Sequence, residues 1–166
     1  MTIPDALEQL KRWITPREAF HSGQKIPFLL ACHLSDHPAS ETEIAQVEGG
    51  PDLETFWRLV SEAELFRDDS YGQWGLKILS PLEVLQTSKQ ERQERPDDMY
   101  ESDLVIGQFI GDSDQLLIDT SQSEKGDYPV LVKLPIDGRE EWPVIAISFA
   151  EFLSRYLSAQ GQKYWE

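Results

Sequence analysis

The chain has 166 residues, 40% of them hydrophobic, which suits one domain with a single core. Thirty acids against fifteen bases give a formal net charge of -15, a field that argues against a nucleic-acid partner and against an anionic lipid surface. No apolar run approaches the roughly 20 residues that cross a bilayer, Met1-Thr2-Ile3-Pro4-Asp5 has no secretory pattern, and a lone Cys32 forms neither a disulfide nor a metal cluster, so a cytoplasmic protein is expected.

Thr2 as cap and Pro4 in the first turn predict a helix from about Pro4 to Ile14, with Leu7, Leu10 and Ile14 on one face, ended by Pro16. From Thr15 to Pro38 no period is sustained. Gly23, Pro27 and Pro38 interrupt the short apolar run Phe28 to Ala31, and the stretch is expected to be an arm packed on the domain by a few apolar anchors. Residues 1–38 are therefore assigned to an N-terminal helix and arm, and residues 39–160 to the domain itself. Ser40 with Glu43 forms a capping box for a short helix. Gly49-Gly50-Pro51 then opens a second, in which Leu53, Phe56, Trp57 and Val60 repeat at i, i+3, i+4 and i+7. Leu65-Phe66-Arg67 and Trp74 to Leu79 are strand candidates. Ser80-Pro81-Leu82-Glu83 combines a capping box with Pro at the first helical position, and predicts a helix to about Gln93. Leu104 to Ile110 and Gln115 to Thr120 flank Gly111-Asp112-Ser113-Asp114 and read as a hairpin. Tyr128 to Leu134 and Trp142 to Ile145 complete a set of about six strands. Ser148 and Glu151 form a further capping box, for a last helix carrying Phe149, Phe152, Leu153, Tyr156 and Leu157 on one stripe, with Gly161 as its stop.

The acidity is concentrated. Residues 38–70 hold nine acids against Arg58 and Arg67, and residues 97–128 hold nine against Lys125, so these two segments contain the whole excess. Either the charge keeps the surface soluble or it steers a basic protein partner. Asp112-Ser113-Asp114 with Asp119 resembles a cation loop in composition only, because Leu116 and Leu117 occupy the fifth and sixth positions where a calcium loop needs a ligand and a Gly; turn-forming Asp residues are expected instead. His33 and His37 stand four apart, but Ser35 and Pro38 argue against a helix, and with His21 they read as surface histidines. Cys32 reads as a small buried thiol. The Asp68-Asp69 and Asp97-Asp98 pairs would serve acid-base chemistry only if one member were buried, and their polar flanks point to solvated loops. No phosphate-binding Gly loop, serine elbow or zinc pattern occurs. No catalytic, metal or cofactor site is assigned. Tyr71-Gly72-Gln73-Trp74-Gly75 has two readings, aromatic packing at a core edge or a recognition patch beside Asp68 and Asp69. The candidate partner-binding residues are Asp68, Asp69, Tyr71, Trp74, Asp112 and Asp114.

The order of these motifs resembles the SUKH superfamily, the Smi/Knr-type regulators and bacterial immunity proteins. The likeness rests on Pro38 to Ile44, the Phe56-Trp57 pair, Leu65-Phe66, Tyr71 to Leu76, Leu79 to Glu83, the Ile106 to Asp119 hairpin, and above all Trp142-Pro143 leading into Phe149 to Leu153. Two departures stand out: a shortened join, Val47-Glu48-Gly49-Gly50-Pro51, and Ser61-Glu62-Ala63-Glu64 where the family carries Asn-Gly-Gly. The resemblance implies an α+β domain, a mainly antiparallel sheet of about five or six strands with helices packed around it, and no enzymatic activity. It further implies a protein partner, a basic nuclease-type toxin domain if the chain is an immunity protein; a regulatory or scaffolding role with a non-toxin partner is the alternative.

Overall fold

The computed structural model describes residues 1–123 and 126–166; Glu124 and Lys125, which count toward the second acidic segment, lie outside them. In chain order the elements are α1 (Ile3–Leu10), a 3-10 turn (Lys11–Trp13), β1 (Arg17–Ala19), β2 (Phe28–Leu34), α2 (Glu41–Ala45), α3 (Pro51–Leu59), β3 (Ala63–Asp68), β4 (Leu76–Ile78), α4 (Pro81–Glu94), β5 (Asp103–Phe109), β6 (Gln115–Asp119), β7 (Val130–Lys133), a second 3-10 turn (Arg139–Glu141), β8 (Val144–Ala146) and α5 (Phe149–Ser158). All eight strands form one antiparallel sheet in sequential order.

The sheet is larger than expected by β1 and β2, which arise from the stretch assigned to an arm. Pro27 and Pro38 bracket β2 rather than interrupt it. Leu30, Ala31 and Cys32 are buried consecutively, so the strand shows no alternation to read, and β1 is a three-residue edge too short for a period. A bulge between Ala31 and His33 faces Phe66, whose φ of 52° is unusual for an aromatic residue. There the Phe66 N–H donates to Cys32 Sγ at 3.3 Å. The Phe66 ring is held edge-on by Trp13 at 5.0 Å and Tyr156 at 5.6 Å.

Helix ends follow their caps. Thr2, Ser40 and Ser80 each form reciprocal boxes with Asp5, Glu43 and Glu83. At α5 the expected box is half made: Ser148 caps the Glu151 N–H, while the Glu151 carboxylate accepts from the Ile147 N–H at 2.6 Å instead of the Ser148 N–H. The first helix stops at Leu10, four residues short of the expected end, and Ile14 is exposed. α1, α3 and α5 pack on one another. Phe56 meets Phe149 at 5.6 Å, and Phe152 lies between Phe149 at 6.2 Å and Tyr156 at 5.3 Å, so one aromatic file joins α3 and α5.

The sheet also carries a polar row. Residues directly opposite on neighbouring strands share a face, and the register aligns His33, Glu64, Lys77, Gln108, Gln115 and Lys133 across β2 to β7. α4 covers part of this row with a stripe that changes character along the helix: Pro81, Val84 and Ser88 are buried, then Glu91 follows. Lys77 Nζ pairs with Glu83 and Lys133 Nζ with Glu91, each at 2.9 Å, and Ser88 Oγ accepts the Val105 N–H at 2.9 Å.

Candidate functional site

In a sequential meander the β1–β2, β3–β4 and β5–β6 connections leave the same end of the sheet. This brings the loop that carries Tyr71 and Trp74 against the loop that carries Asp112 and Asp114, about 40 positions later in the chain. The contact is close. The Ile110 N–H donates to the Gly75 carbonyl at 2.8 Å, and Gly111, at φ 93°, lies so near the Gln73 carbonyl that a Cβ there would collide with it.

The β3–β4 loop is built on its own backbone. The Asp68 N–H donates to the Trp74 carbonyl at 3.0 Å, the Gly72 N–H to the Asp68 carbonyl at 3.0 Å, and the Asp69 N–H to the Leu29 carbonyl at 2.8 Å. Asp68 ends β3 and is buried, against the solvated placement expected; its carboxylate accepts the Ser70 N–H at 2.9 Å in an Asx turn. Asp69 is exposed beside it. Trp74 is half-buried, its ring stacked on Phe28 at 5.8 Å and its Nε1 donating to the Gly161 carbonyl at 3.1 Å. Tyr71, in contrast, is 83% exposed. It stands between two grooves. One, of ≈ 420 Å³, is lined by Ile26, Phe28 and Leu29; the other, of ≈ 410 Å³, by His33, Arg67 and Asp69.

A C-terminal segment ties these loops together. His21, expected at the surface, is buried: its Nε2 donates to the Gln160 carbonyl at 2.9 Å and its ring packs on Phe28 and Trp74. The Ser22 N–H donates to Gln162 Oε1 at 3.0 Å. Lys163 Nζ donates to Asp112 Oδ2 at 2.6 Å and to Asp114 Oδ2 at 2.9 Å. Burial pushes the Lys163 ammonium pKa down, but these two carboxylates outweigh it and hold it above its ordinary value. The hairpin acids therefore already hold one cation, and Asp112 also makes the Asx turn to the Asp114 N–H at 2.9 Å. Among the described residues no group of three His, Cys, Asp or Glu side chains converges as metal ligands, and no helix is long and apolar enough to cross a membrane.

Two clusters escaped the sequence reading. At the far end of the sheet Arg139 forks onto Asp103, through Nη2–Oδ1 at 3.0 Å and an Nη1–Oδ2 bond, and reaches Asp119 at 3.4 Å. The other cluster lies behind the hairpin, a cleft of ≈ 430 Å³ where Glu91, Glu94 and Arg95 of α4 and the turn after it face Gln108, Gln115 and Lys133 of the polar row. The legible signals were the Pro81, Val84, Ser88, Glu91, Arg95 spacing of a helical stripe and polar residues at inward positions near strand ends.

An antiparallel sheet with helices packed around it is the α+β architecture of a SUKH-like domain. Residues 38–155 match the SMI1 / KNR4 family (SUKH-1), and the chain belongs to that family. No curated protein matches the chain. His21, Phe28, Gly161 and Lys163, which fix the loop end, all lie outside the matched span.

Proposed function

We propose that the chain is a non-enzymatic, cytoplasmic protein-binding domain of the immunity type, whose partner is a basic toxin domain of the nuclease class. The observation that carries this reading is Tyr71, 83% exposed on a loop whose backbone is bonded on both sides, with Asp69 beside it and a groove on each flank. Interface anchors are typically such aromatics, and a loop ordered before binding loses little entropy on contact. The net charge of -15 favours encounter with a cationic surface. Of the other candidate residues, Trp74 and Asp68 support the loop from within, and Asp112 and Asp114 offer the negative charge that Lys163 leaves over.

The test is association of the purified chain with a toxin domain encoded beside it. Added salt should slow association far more than dissociation, since exposed charges are screened over about 8 to 10 Å. Asp69→Lys should lower the on-rate. Tyr71→Ala should raise the off-rate by about 30-fold, the equivalent of a 2 kcal/mol anchor. If neither variant changes either rate, the loop end is not the contact. A chain that binds no toxin and whose gene has only housekeeping neighbours is the regulatory or scaffolding protein instead.

A further inference from the structure

Behind the β5–β6 hairpin, the cleft of ≈ 430 Å³ is in the size range of sites that enclose a small group. Its floor is the polar row, with Gln115 between Gln108 on β5 and Lys133 on β7. Gln115 is only 9% exposed. Its Nε2 donates to Glu91 Oε1 at 3.3 Å, which fixes the amide orientation, because a reversed amide would set oxygen against carboxylate. Its Oε1 is then a buried acceptor with no hydrogen-bond partner among the described residues. Such a group costs stability unless something supplies a donor.

The surrounding charges indicate which donor. Lys133 pairs with Glu91, Arg95 with Asp98, and Lys163 lies between Asp112 and Asp114. Those cations leave the Glu94 carboxylate and one charge of the hairpin acids uncompensated at the rim. An anion would face an orphan acceptor and excess negative charge. A bare divalent cation would need several oxygens gathered at 2.0 to 2.6 Å, whereas Lys163 already occupies the place where Asp112 and Asp114 converge and Lys133 already holds Glu91. A planar cation with several donors suits acceptors spread over two walls.

We propose that this cleft receives an arginine guanidinium from the basic partner, with Gln115 Oε1, Glu94 and the Asp112–Asp114 pair as its acceptors. The inference rests on the reading of the chain as a binder of a basic protein, and adds a second contact beside Tyr71 with its chemistry specified. Gln115 would give depth and orientation, while Glu94 and the hairpin supply charge.

The experiment titrates the full-length chain with acetyl-arginine amide, and in parallel with acetyl-citrulline amide, its neutral isostere, following the backbone amides of Gln108, Asp114 and residue 115 by NMR, signals that a substitution at position 115 leaves in place. Saturable millimolar binding of the arginine probe, with citrulline weaker by about tenfold or more, is expected for charge-assisted bonds. Gln115→Met, which fills the same space without an acceptor, should weaken arginine binding about fivefold or more while leaving the unfolding midpoint unchanged or raised. Glu94→Gln, at an exposed helix position, provides the same readout should the Met variant fold poorly. Equal binding of the two probes, no binding of either, or arginine affinity untouched by both substitutions would overturn the proposal. No protein partner enters this titration, so its failure removes the cleft alone. Failure of Asp69→Lys and Tyr71→Ala against the toxin removes the loop-end reading and leaves the probe result standing.

Discussion

Arg139→Ala tests the buried ion cluster at the far end of the sheet. Asp103 and Asp119 are essentially inaccessible to water, and Arg139 is the cation that faces both. Asp119 has other support: Ser102 Oγ donates to it at 3.1 Å, and Ser121 donates through N at 3.0 Å and Oγ at 2.6 Å. Burial raises its pKa, yet these bonds, those of Ser121 foremost, hold it below the usual carboxylate range. Asp103 depends more on Arg139, since its other side-chain bond is from the Tyr100 N–H at 2.7 Å. Removing the guanidinium strands a buried carboxylate and should cost about 3 to 5 kcal/mol. For a chain of this size each kcal/mol moves the melting temperature by about 2 to 4 °C, so a fall of about 6 to 20 °C is expected. Urea unfolding monitored by tryptophan fluorescence gives the free energy directly. Adding Asp103→Asn should recover part of the loss, with a coupling of about 0.5 to 3 kcal/mol. A cost under about 1 kcal/mol, the size of an exposed pair, would refute the placement of these charges in a dry site.

Phe152→Ala should cost about 3 to 5 kcal/mol in the same assay, because the ring is fully buried in the α3–α5 aromatic file; Tyr71→Ala should stay within about 0.5 kcal/mol, which makes its binding effect separable from folding. Asp127 lies buried near Asp52 of α3, and burial first, then the Asp52 carboxyl, push its pKa from 3.8 up to about 7. The folded chain then keeps a proton that the unfolded chain releases between those values, so this contribution to stability is lost as pH rises toward and through about 7. Asp127→Asn should flatten that dependence; an unaltered slope of urea midpoint against pH would count against the pairing. Cys32 is fully buried and burial pushes its thiol up to about 12, so it should resist thiol reagents until the protein unfolds, and prompt labelling of the native chain would contradict the closed β2–β3 bulge.

What this chain declares locally, its sequence shows well. Capping residues and Pro at helix starts act within one turn, so α2, α3, α4 and α5 begin where Ser40, Pro51, Ser80 and Ser148 place them. The stripes of α3 and α5 face the core because a 3.6-residue period leaves them no other face to bury. β2 was not legible for the opposite reason: Phe28 to Cys32 is apolar throughout, the exposed Leu29 included, so the run shows no alternation, and two prolines that bracket it look in one dimension like prolines that break it. Tertiary structure alone decided the rest. That Tyr71 is exposed while Trp74, three residues on, is pinned to Gly161, and that Asp112 and Asp114 share Lys163, depend on contacts between segments about 50 to 90 residues apart. The same holds for the polar row, where Gln108, Gln115 and Lys133 became neighbours only when strand register was set. Local periodicity records which face a side chain takes; which partner it meets there is settled by pairing across the sheet, and no single segment encodes it.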